Sequence, residues 1–79
     1  MNRYYFDLRE GNEVWPDEEG TVLAGLSAVR AEAARSLADM VKDVEDVENL
    51  RSLSIDVRDK FGFVLQAHLT FEVLTVVKH

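Results

Sequence analysis

Apolar and polar residues alternate at the N-terminal end of the chain, which is the pattern of a half-buried β-strand. Over residues 2–9 the side chains of Tyr4, Phe6 and Leu8 fall on one face, which we expect to face the core. The opposite face carries Tyr5 among charged residues and is expected to face solvent.

The segment after the first strand contains several turn-forming residues. Gly11 lies in a predicted turn, and residues 13–15 then predict a short strand that Pro16 ends. A strand ended in this way is expected at the edge of a sheet. The sequence of residues 17–20, with aspartate first and glycine fourth, favours a type I turn, and residues 21–23 are expected to be extended and to lead into a helix.

Helical periodicity dominates the middle of the chain. Apolar residues recur there with the spacing of one buried helix face, at Leu26, Val29, Ala33, Leu37, Met40, Val41 and Val44. They predict one amphipathic helix from about Leu26 to Val44, capped by Gly25 or Ser27. The acidic run over residues 43–48 opposes the helix dipole, so the helix is expected to end near it.

The C-terminal third alternates again and predicts a β-hairpin. The turn Asp59-Lys60-Phe61-Gly62 places Gly62 at positive φ as a bulge residue, and Phe63, Leu65, Ala67 and Leu69 are then expected in one apolar row. The offset caused by the bulge predicts three cross-strand pairs, which are Val57 with Leu65, Ile55 with Ala67, and Leu53 with Leu69.

This element order predicts a single α+β domain over residues 1–79. We expect a two-layer sandwich in which an antiparallel sheet of about four strands, in the order ββαββ, carries one long helix on one face. We expect Phe6, Leu37, Ile55 and Phe71 to be buried together between the helix and the sheet. In a chain of 79 residues one hydrophobic core is small, so assembly with a further subunit would add buried surface.

Composition narrows the possible functions. The net charge of −6 disfavours nucleic-acid binding, since phosphate contacts rest on clustered basic residues. The absence of cysteine excludes disulfides and thiolate metal sites. We find neither the apolar core of a secretory leader after Met1 nor a membrane-spanning apolar run, so we expect a cytoplasmic protein without membrane contact.

Candidate chemical groups are few. The acidic turn at residues 17–19 and the acidic run at residues 43–48 are expected to be solvated rather than metal-binding, because consecutive side chains diverge. His68 could act as a base only with a partner such as Asp56. Neither a nucleophile elbow nor a phosphate-binding loop occurs, so we expect a protein that is not an enzyme and has no cofactor.

An interaction surface is the better expectation. It lies on the solvent face of the sheet or on the C-terminal tail, two alternatives that the sequence leaves open, and its candidate residues are Tyr5, Arg58, Gln66, His68, Leu74 and Val76. The tail is apolar at positions that point both ways, which is typical of a strand covered on both sides. We therefore expect a homo-oligomer, most simply a dimer, in which a second subunit covers the tail, although a frayed terminus gives the same pattern.

Several segments together resemble a known family. They are Arg3 to Gly11, Pro16-Asp-Glu-Glu-Gly20, Ala28 to Asp39, and Ile55-Asp-Val-Arg-Asp59 with Gly62 and Leu69-Thr-Phe71. This pattern is similar to a domain-of-unknown-function family of short, mostly alphaproteobacterial proteins, and the resemblance implies no activity. The segment Val14 to Gly20 with the alanine-rich helix also resembles the first half of the HicB-type antitoxin fold.

The sequence is compatible with three function hypotheses. The first is a small binding module with an unidentified protein partner. The second, which the HicB likeness implies, is a regulatory protein of the antitoxin type that binds an enzyme partner. A minimal hydrolase that uses His68 with Asp56 is the least favoured alternative.

Overall fold

The computed structural model describes residues 1–42, 52–70 and 74–77, and its architecture is the expected α+β layout. The elements follow the chain in the order β1 (Asn2–Glu10), β2 (Glu13–Trp15), β3 (Thr21–Leu23), α1 (Leu26–Lys42), β4 (Ser52–Asp59) and β5 (Gly62–Thr70). One open antiparallel sheet carries the single described helix. Within these residues no helix is long and apolar enough to cross a membrane.

The order of the strands places β1 and β4 in the centre of the sheet. The order is β2-β1-β4-β5, and β3 additionally pairs with the first residues of β1. Residues 21–23 are extended and precede the helix, as predicted, but they also form a strand that the predicted order ββαββ does not contain, because Thr21 pairs with Tyr4 and Leu23 pairs with Asn2. A three-residue strand is too short to show the alternation by which longer strands are recognised.

The hairpin of β4 and β5 has the predicted register. Val57 pairs with Leu65, Ile55 with Ala67 and Leu53 with Leu69, and Gly62 has a φ of +119°. The extra residue, however, is Val64 rather than Gly62, since Arg58 pairs with Phe63 and the register shifts before the next pair.

This shift corrects the predicted position of Phe63. A one-residue slip moves a side chain to the opposite face, so Phe63 lies in the row of Tyr5 and Arg58 instead of the row of Leu65. Phe63 is 70% exposed, whereas Val64 packs against the core.

The core lies between one stripe of α1 and the inner face of the sheet. Val29, Ala33 and Leu37 bury the stripe that the helical periodicity predicts. They pack with the buried residues of the strands, which are Tyr4, Leu53, Ile55 and Val57.

Three details of the helix and core differ from expectation or fall outside the described residues. Phe6 is only partly buried at the margin of the core, because α1 lies over β4 and β5 rather than over β1. The predicted burial of Phe71 and the predicted helix end at Val44 lie outside the described residues. At the other end, the Gly25 carbonyl accepts the first helical hydrogen bond from the Val29 N–H, which makes Gly25 the N-cap.

Candidate functional site

The loop between β2 and β3 is organised by the carboxylate of Asp17. Its Oδ1 accepts hydrogen bonds from the backbone N–H groups of Glu19 at 3.2 Å and Gly20 at 3.1 Å. Its Oδ2 accepts a hydrogen bond at 3.1 Å from the N–H of Phe6, which lies between the part of β1 that pairs with β2 and the part that pairs with β3. The carboxylate thus satisfies a backbone donor where neither short strand reaches.

These hydrogen bonds keep Asp17 ionised. Partial burial by itself would raise the pKa of the Asp17 carboxyl, but the N–H groups of Phe6, Gly20 and Glu19 together with the Arg58 charge outweigh it and lower the pKa below its ordinary value of 3.8. A carboxylate in this state is an acceptor and has no proton to donate near neutral pH.

Arg58 on β4 ties the same loop to the solvent face of the sheet. Its Nε donates to Asp7 Oδ2 at 2.8 Å, and its Nη2 donates to the carbonyl of Asp17 at 3.0 Å. Its guanidinium lies 4.5 Å from the centroid of the Tyr5 ring, a cation–π arrangement. The hydrogen bond to Asp7 raises the pKa of Arg58, partial burial opposes this rise, and the nearby Asp7, Tyr5 and Asp17 add to it.

The predicted acidic turn is therefore a structural unit of the fold. Its aspartate is saturated with donors, and Gly20 has a φ of +73° in a position where a Cβ would lie 3.0 Å from the Tyr4 carbonyl oxygen. Among the residues that the structure describes, no group of three or more histidines and acids is arranged to hold a metal ion. The predicted acidic run at residues 43–48 lies outside the described residues.

The polar groups around His68 do not form the hydrolase pair considered from the sequence. Asp56 accepts hydrogen bonds from Gln66 Nε2 at 2.7 Å and from Arg9 Nη2 at 3.4 Å. His68 pairs across the hairpin with Ser54, and its Nε2 lies 2.8 Å from Thr70 Oγ1. The structure therefore joins Asp56 to Gln66 and Arg9 and joins His68 to Thr70, and no hydrogen bond links these two described residues, Asp56 and His68, to each other.

The outer edge of β5 is open within the described residues. β5 pairs with β4 on one side, and no described strand pairs with its other side. The strand has nine residues, none of which is charged or a proline. Natural sheets protect their edges with charges, prolines, short strands, bulges or covering loops, and beyond the bulge at Val64 the strand β5 has none of the first four.

The direction of the backbone groups along β5 follows from the ladder. The Phe6 N–H is bonded to Asp17 and so points away from β4, which makes Phe6 and Val57 a non-hydrogen-bonded pair. The backbone groups of Val57 therefore point towards β5, where Val57 is paired with Leu65. Alternation along the strand then turns the N–H and C=O groups of Ala67 and Leu69 towards β4. The corresponding groups of Gln66, His68 and Thr70 point outwards from the sheet.

The predicted interaction residues fall into three places. Tyr5 and Arg58 are partly buried against each other on the solvent face of the sheet. Gln66 and His68 are exposed on the open strand. Leu74 and Val76, each 81% exposed, lie in the described part of the tail.

Two phenylalanines of this surface were not among the residues predicted from the sequence. Phe61 in the hairpin turn is 85% exposed, and Phe63 extends the row of Tyr5 and Arg58 towards the open edge. The sequence signal that could have placed Phe63 on this face is the apolar Val64 next to it. Val64 becomes the extra residue of β5 because it packs against the core.

The chain belongs to the family described as Domain of unknown function (DUF6894), whose model matches residues 3–72. This match confirms the resemblance to a domain family without an assigned activity. Neither a curated protein nor a solved structure matches the chain.

Proposed function

We propose that this chain is a protein-binding module, rather than an enzyme, that receives an extended segment of a partner chain at the open edge of β5. The observation that carries the proposal is the row of outward backbone groups at Gln66, His68 and Thr70 on a strand without charges or proline. An extended segment that pairs with such an edge gains main-chain hydrogen bonds, while its alternate side chains contact the two faces of the sheet.

The two edges of the sheet support this assignment by contrast. The β1 edge is closed by two three-residue strands and by the Asp17 carboxylate between them. The β5 edge has exposed apolar side chains at both ends, at Phe63 and Leu69. One protected edge, together with a second edge that is apolar and pairs with no described strand, is the arrangement expected of a protein that accepts a strand.

The electrostatics favour a protein partner. The net charge of −6 repels phosphate backbones, whereas backbone pairing at an uncharged strand carries no such penalty. In the part of the chain that the structure describes, polar groups that could support catalysis are engaged with one another, as Arg58 is with Asp7 and Asp56 is with Gln66. The proposal that the chain is not an enzyme rests on this pairing.

Strand acceptance is tested with a synthetic peptide that carries the β5 sequence, residues 62–70. The peptide is added in excess to isotope-labelled protein, at protein concentrations below those of any self-association, and amide chemical shifts are mapped. We expect changes at Gln66, His68 and Thr70 and none at β2. A control peptide with proline at the positions of Gln66 and His68 should leave the spectrum unchanged. Changes confined to the helix or to β2, or no change at all, would contradict the proposal.

A second candidate is a regulator of the HicB antitoxin type that binds an enzyme partner. The favouring observation is that Val14 to Gly20 contains the end of an edge strand and a tight turn, and that after the short strand β3 the chain enters the helix that packs on the sheet. A small basic toxin encoded next to this chain would be the partner to test. Inhibition of its activity by the purified chain would support this candidate, and undiminished activity in a stoichiometric mixture would reject it.

A further inference from the structure

We propose that the segment received by β5 is β5 of a second copy, paired antiparallel about a two-fold axis at Ala67, so that two sheets become one. This inference rests on the proposed function, because it names the partner of the same edge. A two-fold axis requires the strand to be complementary to itself. The sequence of β5 meets this requirement over residues 65–69.

Around Ala67 the inner face of β5 is symmetric in its residues. Leu65 and Leu69 flank Ala67 at equal spacing, and all three belong to the row that pairs with the buried residues of β4. An axis at Ala67 places Leu65 opposite Leu69 of the second copy and places the two alanines opposite each other. Leu69, which is 36% exposed, is thereby given an apolar neighbour.

The backbone groups fit the same axis. Gln66 is placed opposite His68 of the second copy, and both residues direct their backbone groups outwards. Each such pair exchanges two hydrogen bonds, so the two symmetric pairs form about four. An axis at His68 would instead place Leu69 opposite Ala67, which is a smaller apolar partner than leucine.

A groove beside Leu65 provides room for the incoming leucine. It has a volume of about 370 Å³ and lies where the start of α1 meets β5, between Leu26, Ser27 and Arg30 on the helix and Val64 and Leu65 on the strand. Leu26 is 59% exposed there although it is apolar. Leu69 of the second copy, opposite Leu65 on the helix side of the sheet, would reach this groove.

Charge also favours a contact at this strand. Each copy has a net charge of −6, so two copies repel each other in most orientations. β5 is the longest described strand without a charged residue, and its pairing brings no like charges into direct contact.

Cysteine cross-linking tests the axis, because the chain has no native cysteine. At the axis the two Ala67 residues form a non-hydrogen-bonded pair, in which the Cα atoms are about 4.5 Å apart, within the range that a disulfide bridges. We expect Ala67→Cys to form a covalent dimer under mild oxidation. Ala34→Cys on the exposed side of α1 is the matched control and should remain monomeric in a denaturing gel.

The register is tested by mixing two single variants. Gln66→Cys mixed with His68→Cys should give a heterologous disulfide in preference to either homodimer. Preferential cross-linking of His68→Cys with itself would place the axis elsewhere and overturn the proposal.

A measurement on the unmodified chain keeps the proposal testable if a variant folds poorly. Light scattering should show a dimer at high micromolar concentration. Amide hydrogen exchange at Gln66 and His68 should slow as the concentration rises, while the Ala67 amide, already bonded to β4, should not change. A monomer at high micromolar concentration overturns the dimer. If the β5 peptide nevertheless binds the β5 amides, strand acceptance stands and only the second copy is wrong as the partner.

Discussion

Asp17 shows how one side chain can replace a strand at a sheet edge. Three backbone N–H groups converge on its carboxylate, two from its own loop and one from Phe6 on β1. The loop is held from the other side as well, because the Asp17 N–H donates to Asp7 Oδ1 at 2.8 Å and Arg58 binds the Asp17 carbonyl. The ionised carboxylate is therefore expected to contribute to folding stability.

Replacing Asp17 with asparagine should test this contribution. An amide offers only one acceptor oxygen, so Phe6 or the pair Glu19 and Gly20 would face an NH₂ group. We expect a loss of about 1 kcal/mol in the free energy of unfolding, measured by urea denaturation at pH 7. Glu18→Gln is the control, since it removes the same charge from an exposed neighbour and should change stability little.

The same carboxylate should make stability depend on pH in a defined direction. The pKa of Asp17 is lower in the folded chain than its ordinary value of 3.8. Its contribution is therefore present above pH 3.8 and is lost as the pH falls through the lower folded value. The difference in stability between the parent and Asp17→Asn should shrink as the pH falls below 4. If the difference in stability between the two chains stayed constant down to pH 2, the destabilisation would come from the altered shape of the side chain rather than from its lost charge.

Gly20 and Gly11 allow backbone strain to be separated from crowding. Both have positive φ, +73° and +58°, so alanine is strained at each by about 1 kcal/mol. Only at Gly20 would the added Cβ meet neighbours, lying 2.9 Å from Arg3 Cγ and 3.0 Å from the Tyr4 carbonyl oxygen. Gly20→Ala should therefore lower the melting temperature clearly more than Gly11→Ala. Equal losses would mean that the loop moves away from β1 at little cost.

At the scale of elements, the β4–β5 hairpin shows how much of the strand register can be predicted from the alternation of apolar and polar residues. The pairs from Leu53 to Val57 were predictable because two apolar rows and a turn of known chemistry permit only one register. Phe63 was placed on the wrong face because Gly62 and Val64 both give a one-residue offset, and the sequence does not distinguish them. Core packing of Val64 decides between these positions.

Two features of the surface could not be predicted from the sequence because they depend on long-range contacts. The Asp17 turn itself was predicted, but its bond to Phe6 joins residues eleven positions apart, on different elements. The open edge of β5 follows from the strand order, which local patterns do not encode. Gln66 and His68 were nevertheless predicted as exposed sheet residues, since period-two alternation is sufficient to place them.

The packing of α1 on the sheet can be tested with two leucines of the same helix. Leu37 is 7% exposed in the core, whereas Leu26 is 59% exposed at the first turn. Leu37→Ala should cost about 2–5 kcal/mol, the usual range for truncation of a buried leucine. Leu26→Ala should cost under about 1 kcal/mol by denaturant unfolding, because little buried surface is lost. Similar losses in the two variants would show that the helix presents a different stripe to the sheet.

At the scale of the whole molecule, dimerisation would both bury the exposed apolar tail and add buried surface to a small core. The described tail residues Leu74, Val76 and Val77 are at least 71% exposed, and they follow β5 along the chain. Apolar side chains left in water after the open strand are expected to become buried when that strand is paired. Dimerisation through β5 would bring the tail close to the second copy and add burial that a chain of 79 residues lacks.

The double variant Leu74→Ser, Val76→Ser tests whether the tail takes part in assembly. Each side chain that becomes buried in a dimer contributes about 1.5–3 kcal/mol at full burial, so the dissociation constant should rise at least tenfold when both are lost. Light scattering and sedimentation over a concentration series measure this change. The fold itself should be unaffected, because these residues lie outside the core, so the melting temperature at a concentration where both chains are monomeric should match the parent. An unchanged dissociation constant would show that the tail stays in solvent, and the open edge of β5 would then account for assembly alone.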